Sequence, residues 1–112
     1  MLHFNTIQPS TLELLNRTMV LPALQETRLV GGTSLALQVG HRQSIDIDLF
    51  GTVTADEFEL AEQINSLGEA ILIQNTRNIK IWTIDGIKVD VVKYPYPWLE
   101  DMMLVGTIRL AG

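Results

Sequence analysis

The sequence predicts an α+β domain, in which short helices accompany a sheet. Near Ser10 and near Thr54, a helix-start signal precedes apolar residues at helical spacing. Further along, residues 79–84 and 87–92 are rich in residue types that favour strands. These two runs flank Asp85-Gly86, a preferred two-residue signature of a tight hairpin. Helical segments and an antiparallel hairpin in one short chain indicate the α+β class.

Length and composition indicate a single domain and limit its partners. The 112 residues suffice for one core, and a net charge of -5 gives no general attraction to nucleic acid or anionic membranes. The absence of cysteine excludes disulfides and thiolate metal sites. We expect a cytoplasmic protein without a membrane partner, because no signal peptide is evident and no apolar run approaches the roughly 18 residues of a membrane span.

Two helices with start signals, one further helical segment and three strands are predicted before this hairpin. Ser10 with Glu13, and Thr54 with Glu57, fit capping boxes. The apolar face of the second helix consists of Phe58, Ala61, Ile64 and Leu67. The predicted strands are residues 27–30, 45–50 and 70–74, and residues 34–39 have helical character.

Asp46 and Asp48 stand two residues apart in the second predicted strand, so both carboxylates leave the same face of the sheet. Two like charges on one face repel each other, and a chain that keeps both is expected to bind a cation. Oxygen-rich sites suit magnesium or manganese. Asp90 is the only later acidic residue that lies within a predicted strand. We therefore predict that Asp46, Asp48 and Asp90 are the metal ligands and the catalytic residues.

A phosphate site is predicted just before these carboxylates. Gly31 and Gly32 allow the backbone to approach phosphate oxygens, and Thr33 and Ser34 offer hydroxyls and amides at the positive end of the following helix. Arg42 is a candidate clamp for the phosphates. Phosphate-binding groups beside carboxylates are typical of nucleotidyl transfer, which uses two divalent ions about 4 Å apart.

The runs GGTSLAL (31–37), HRQSIDIDLF (41–50) and IKVDVV (87–92) together resemble the DNA polymerase β-like nucleotidyltransferase superfamily. Within it, the chain is most similar to the AbiEii-type toxins of toxin-antitoxin systems. The resemblance covers residues 29–94 and implies a nucleotidyltransferase fold, with a mixed, mostly antiparallel sheet of about five strands and helices on one side.

The resemblance also implies a nucleoside triphosphate donor, magnesium as the cofactor and a cognate antitoxin. We expect the acceptor hydroxyl to belong to an RNA or a protein. Family members continue into a helical region with a further lysine and an acidic motif, which we expect this chain to lack. The apolar tail, residues 102–111, is a candidate surface for a homo-oligomer.

Other interpretations stand beside these. The aspartates could form a solvated strand face, the glycine pair could be a plain turn, and Arg42 could form a salt bridge. An aromatic group could stack on a base, pack in the core or meet a partner; it consists of Tyr94, Tyr96 and Trp98. The alternative function is a nucleotidyltransferase-fold module that has lost catalysis and binds only nucleotide or a partner protein.

Overall fold

The computed structural model describes residues 7–31, 33–34, 37, 46–98 and 100–111. Two helices have complete bounds in this part of the chain, α1 (Pro9–Met19) and α2 (Glu57–Asn65), and a 3-10 turn spans Pro22–Leu24. The strands are β1 (Glu26–Val30), β2 (Ile47–Thr52), β3 (Ala70–Asn75), β4 (Ile79–Ile84), β5 (Ile87–Lys93), β6 (Met103–Val105) and β7 (Ile108–Leu110). Between β1 and β2, the described residues Thr33, Ser34 and Leu37 are helical, as expected for the start of that segment.

The strands form one mixed sheet in the order β3-β4-β5-β2-β1-β7-β6. The β2–β5 and β1–β7 pairs are parallel, and the other four pairs are antiparallel. The α+β class and the mostly antiparallel sheet are therefore confirmed. The strand count of about five was too low, because the apolar tail folds into the β6–β7 hairpin and extends the sheet.

Side chains alternate across the sheet and define its two faces. One row on β2 and β5 is buried and joins the apolar residues of both helices in the core: Ile47, Leu49, Val89 and Val91. The alternate row on the same strands is only partly covered: Asp48, Phe50, Asp90 and Val92. The predicted site residues Asp48 and Asp90 therefore lie on the face opposite to the helical layer.

The helix starts differ from the predicted capping boxes. In α1, Ser10 lies inside the helix, because Pro9 takes the first helical position, where its missing N–H is tolerated. In α2 the cap is Asp56, whose Oδ1 accepts a 2.8 Å hydrogen bond from the Glu59 N–H. The predicted apolar face was also wrong at Phe58, which is 76% exposed. Leu60, with Ile64 and Leu67, forms the buried stripe instead.

The β4–β5 hairpin has the register that its turn predicts. Ile84 pairs with Ile87, and Ile81 pairs with Asp90. Asp85 and Gly86 have φ values of 49° and 82°, the left-handed backbone of a type I′ turn. Because each residue of β5 then has a fixed partner, Asp90 has a fixed face and height in the sheet.

A buried arginine joins the end of the sheet to the helical layer. The Arg109 guanidinium in β7 donates hydrogen bonds of 2.8, 2.9 and 2.8 Å to the carbonyl oxygens of Thr27, Met19 and Leu24. Burial lowers the pKa of Arg109 from its usual value. The contacts tie β7 to β1, to the C-terminal end of α1 and to the 3-10 turn.

None of the helices in the described part of the chain is long and apolar enough to cross a bilayer.

Replacing Arg109 tests whether these three contacts hold the layers together. Arg109→Met keeps an unbranched apolar stem but removes all three donors, so we expect the free energy of unfolding to fall by about 3 kcal/mol. Urea denaturation followed by circular dichroism measures the change. Arg17→Met is the matched control, because Arg17 is exposed and makes a 3.4 Å bond to the Ser66 carbonyl. Equal losses in the two variants would contradict the account.

Candidate active site

The parallel pairing of β2 with β5 brings two of the predicted carboxylates together. Asp48 and Asp90 are register partners, and their neighbours Ile47 and Val89 are also paired and buried in the core. The side chains of Asp48 and Asp90 therefore leave the same, opposite face. Asp46, directly before β2, lies two residues from Asp48 and close enough for its charge to act on it.

The electrostatics of this pair show a local excess of negative charge. Burial, followed by the charge of Asp90, raises the pKa of Asp48 above its usual 3.8, while the charge of Lys88 opposes the rise. Lys88 Nζ lies 3.2 Å from Asp90 Oδ2, and this hydrogen bond raises the pKa of Lys88. The other carboxylate oxygen, Asp90 Oδ1, is buried, and within the described part of the chain it has no hydrogen-bond partner. A buried carboxylate oxygen in this condition is a vacant acceptor.

Lys88 is a site residue to which the sequence interpretation assigned no function. Its spacing of two residues from Asp90 on a strand was the available signal, since such residues share a face. Its ammonium group partly neutralises the carboxylates from the exposed side, with 45% of the side chain accessible.

Gly31 brings the backbone against the carboxylates. Its φ is +75°, and a Cβ built there would lie 3.1 Å from Asp48 Cγ and closer still to Oδ2. Only glycine combines this backbone conformation with so close an approach. The chain thus turns directly beside Asp48, where the sequence predicted a phosphate-binding backbone.

The structure describes two of the other four predicted phosphate-binding residues. Thr33 and Ser34 are buried in the helical segment, and the Thr33 hydroxyl donates to the Asp46 carbonyl oxygen. This contact joins the glycine turn to the start of β2. Gly32 and Arg42 lie outside the described residues, so their assignment stays a prediction.

The carboxylates suit a hard divalent cation in their chemistry. Two oxygen donors side by side, one of them with a vacant buried oxygen, match the ligand preference of magnesium or manganese. Among the described residues, however, no three acidic or histidine side chains converge at metal-binding distances. Among the described residues, Asp48 and Asp90 therefore form an acidic pair, and Asp46 does not join them in a group of three.

Comparison with known proteins places this arrangement in a recognised class. A solved complex of a CCA-adding enzyme with CTP superimposes with a TM-score of 0.58 at 20% identity, over 80% of this chain and 22% of that chain. The crystal structure of JHP933 from Helicobacter pylori gives a TM-score of 0.59 at 14% identity, over 95% of this chain and 53% of that chain. At these identities the likeness concerns the fold, which is that of the nucleotidyltransferases.

The family follows from the sequence comparison. A family model described as "Nucleotidyl transferase AbiEii toxin, Type IV TA system" matches residues 13–103, so the chain belongs to this family. It is also 33% identical over 91 residues to an uncharacterized protein of Aquifex aeolicus (strain VF5). That match covers 80% of this chain and 44% of the relative, so the chain spans less than half the relative's length.

Gly31→Ala tests the close approach of the backbone to Asp48. Gly106 is the matched control, because it also has a positive φ, +59°, but a Cβ there would meet nothing within 4 Å. Gly106→Ala is expected to lower the free energy of unfolding by about 1 kcal/mol through the backbone conformation alone. Gly31→Ala should lower it clearly more, because its methyl group also collides with Asp48. Urea denaturation measures both. Equal losses would show that Asp48 does not crowd this position.

The raised pKa of Asp48 predicts a pH-dependent stability in metal-free buffer. The folded pKa lies above the usual 3.8, so ionised Asp48 destabilises the fold at neutral pH, and this loss disappears as the pH falls through the folded pKa. Asp48→Asn should therefore melt a few degrees higher than the wild type at pH 7, with the gain vanishing below pH 3.8. Thermal unfolding with EDTA present measures it.

The control for this experiment is Asp101→Asn, which removes one negative charge at an exposed position. It should change the melting temperature little, because Asp101 lies outside the strands and its charge is screened by solvent. If the wild type were more stable than Asp48→Asn at pH 7, ionised Asp48 would not destabilise the fold and the account would be wrong.

Proposed function

We propose that this chain is the catalytic part of a metal-dependent nucleotidyltransferase that moves a nucleoside monophosphate from a nucleoside triphosphate to an acceptor hydroxyl. The observation that carries the proposal is the pairing of Asp48 with Asp90 beside Gly31. Membership in the AbiEii family supports the same reaction class. Because the chain spans only part of its relatives, the reaction remains a property proposed for the whole protein.

Asp48 and Asp90, with Asp46 completing the set, would hold Mg²⁺ or Mn²⁺. When bound, the ions neutralise charge on the triphosphate and lower the pKa of the acceptor hydroxyl. The vacant Asp90 Oδ1 and the excess negative charge around Asp48 support this assignment.

The transfer forms one bond and breaks another. The acceptor oxygen bonds to the α-phosphorus, the bond from that phosphorus to the β-phosphate bridging oxygen breaks, and pyrophosphate leaves. The acceptor proton passes to the Asp90 carboxylate. We assign the triphosphate to the glycine turn, where the binding residues would be Gly31, Gly32, Thr33, Ser34 and Arg42.

The proposed partners follow from the family and from exposed surfaces. We propose an RNA or protein acceptor and a cognate antitoxin, with the reaction taking place in the cytoplasm. For a homo-oligomer through the tail, the available surface is the β6 edge, where Leu104 is 62% exposed. The other half of the tail is not available, because Ile108 and Leu110 are buried in the core.

A second candidate is a module that binds nucleotide or a partner without catalysis. It is favoured by one specific observation: in the described part of the chain, the acidic side chains supply a close pair and no converged set of three.

Nucleotide transfer distinguishes the two candidates. The chain is incubated with Mg²⁺, each α-³²P-labelled nucleoside triphosphate in turn, and either bulk cellular RNA or bulk cellular protein. We expect label to enter an acceptor, and Asp48→Asn or Asp90→Asn to reduce the transfer about a hundredfold or more, because charge stabilisation is lost at the reacting phosphate. Asp101→Asn is the control and should retain activity. Magnesium-dependent nucleotide binding without any transfer would contradict the enzyme and favour the binding module.

A further inference from the structure

Four aromatic side chains form a cluster at one end of the carboxylate face; this aromatic cluster consists of Phe50, Tyr94, Tyr96 and Trp98. The ring centre of Tyr94 lies 6.3 Å from Phe50, 5.6 Å from Tyr96 and 4.8 Å from Trp98. The Arg28 guanidinium carbon lies over the Trp98 ring, 4.7 Å from the ring centre. Such distances are typical of attractive ring packing and cation–π contacts.

The cluster adjoins the carboxylates on the same face of the sheet. Phe50 follows Asp48 by two residues on β2, and it is paired with Arg28 of β1. The Tyr94 N–H donates a 2.9 Å hydrogen bond to the Gly51 carbonyl oxygen, which holds the start of the aromatic segment against β2. One step along a strand, about 7 Å for two residues, therefore leads from the carboxylates to the cluster.

The glycine turn lies on the other side of the same carboxylates. β1 and β2 are antiparallel, with Val30 opposite Asp48 and Arg28 opposite Phe50. Gly31 follows Val30, so the chain passes the height of Asp48 and turns away from Phe50. Along the strands the order is glycine turn, carboxylate pair, aromatic cluster.

The inference rests on the proposed function. If that function holds, the order along the strands determines the side from which the acceptor approaches. In phosphoryl-type transfer the attacking and leaving oxygens lie roughly in line across the phosphorus. With the leaving pyrophosphate at the glycine turn and the α-phosphate at the carboxylates, the acceptor must approach from the aromatic side.

The exposure of the cluster indicates a planar, aromatic ligand. Tyr96 packs edge-on against Tyr94, at an interplanar angle of 72°, and remains 67% exposed. Its neighbours Tyr94 and Trp98 are only partly exposed, so these inner rings support Tyr96, most of whose side chain is accessible to a ligand. With a net charge of -5 the chain lacks a general attraction for a polyanion, and stacking on a base provides affinity that does not depend on it.

We propose that the aromatic cluster is the acceptor subsite and that it binds the terminal base of a single-stranded nucleic acid, whose 3′ hydroxyl then reaches the Asp48–Asp90 pair. Tyr96 supplies the stacking surface. Phe50, Tyr94 and Trp98 support it, and Arg28 holds Trp98 in place through the cation–π contact and its 3.0 Å hydrogen bond to the Glu100 carbonyl.

The test measures binding and does not need catalysis. Two short single-stranded RNAs carry a 5′ fluorescein label and differ only at the 3′ end, where one has a base and the other an abasic nucleotide. We expect fluorescence anisotropy to show about tenfold tighter binding of the intact RNA by the wild type, since stacking of one base contributes about 1.4 kcal/mol. Tyr96→Ala should abolish this preference, and Tyr96→Phe should retain it.

Phe58→Ala is the matched control, because Phe58 is an aromatic side chain on α2, in the helical layer, and is 76% exposed against 67% for Tyr96. It should leave the preference unchanged. Equal binding of the two RNAs by the wild type, or equal effects of Phe58→Ala and Tyr96→Ala, would overturn the inference.

Transfer assays separate this inference from the proposed function. If a protein acceptor is labelled and Tyr96→Ala does not change the labelling, the acceptor subsite is wrong, whereas the proposed nucleotidyltransferase activity is supported. A base preference that depends on Tyr96, without transfer to any acceptor, would support base binding by the aromatic cluster but would overturn the enzyme and the acceptor role of the cluster.

Discussion

The repulsion between Asp48 and Asp90 is the constraint on which the rest of the site depends. Parallel pairing of β2 with β5 makes the two aspartates register partners. The residues before and after each aspartate are buried in the core, so neither carboxylate can turn to the other face of the sheet. Lys88 neutralises the pair only in part, since it contacts one oxygen of Asp90, while the other oxygen has no hydrogen-bond partner among the residues that the structure describes. A divalent cation bound at this position would remove the repulsion and fill the vacant acceptor.

The fold holds this unfavourable arrangement through contacts made elsewhere. Arg109 fixes β1 against the helical layer by its bond to the Thr27 carbonyl, and β1 in turn pairs with β2 along its full length. At the other end of β1, Gly31 turns against Asp48, and the Thr33 hydroxyl holds the start of β2 at the Asp46 carbonyl. The core and the buried arginine therefore stabilise the fold and offset the destabilising effect of the carboxylate pair, as is common at functional sites.

Local chemistry explains which features could be predicted. The Asp85-Gly86 turn and the alternating pattern around it determine the β4–β5 register, and the spacing of Asp46 and Asp48 determines their common face. The parallel β2–β5 contact joins segments about forty residues apart, so no local signal determines the register that pairs Asp48 with Asp90. Asp90 could be predicted as a site residue only because it is the later acidic residue in a predicted strand. The caps were misplaced because Pro9 and Asp56 compete with Ser10 and Thr54 for the helix starts. The β6–β7 hairpin was missed, although Gly106 marks its turn, because each strand has only three residues.

The central claim is that Asp48 and Asp90 together form a cation site, and paramagnetic broadening by Mn²⁺ tests it most directly. Carboxyl carbon NMR signals of the isotopically labelled chain would be recorded while Mn²⁺ is added below one equivalent. The account predicts that the Asp48 and Asp90 signals broaden together and first, and that excess Mg²⁺ restores them by competition. Sharp signals from both residues, while exposed carboxylates elsewhere broaden, would contradict it.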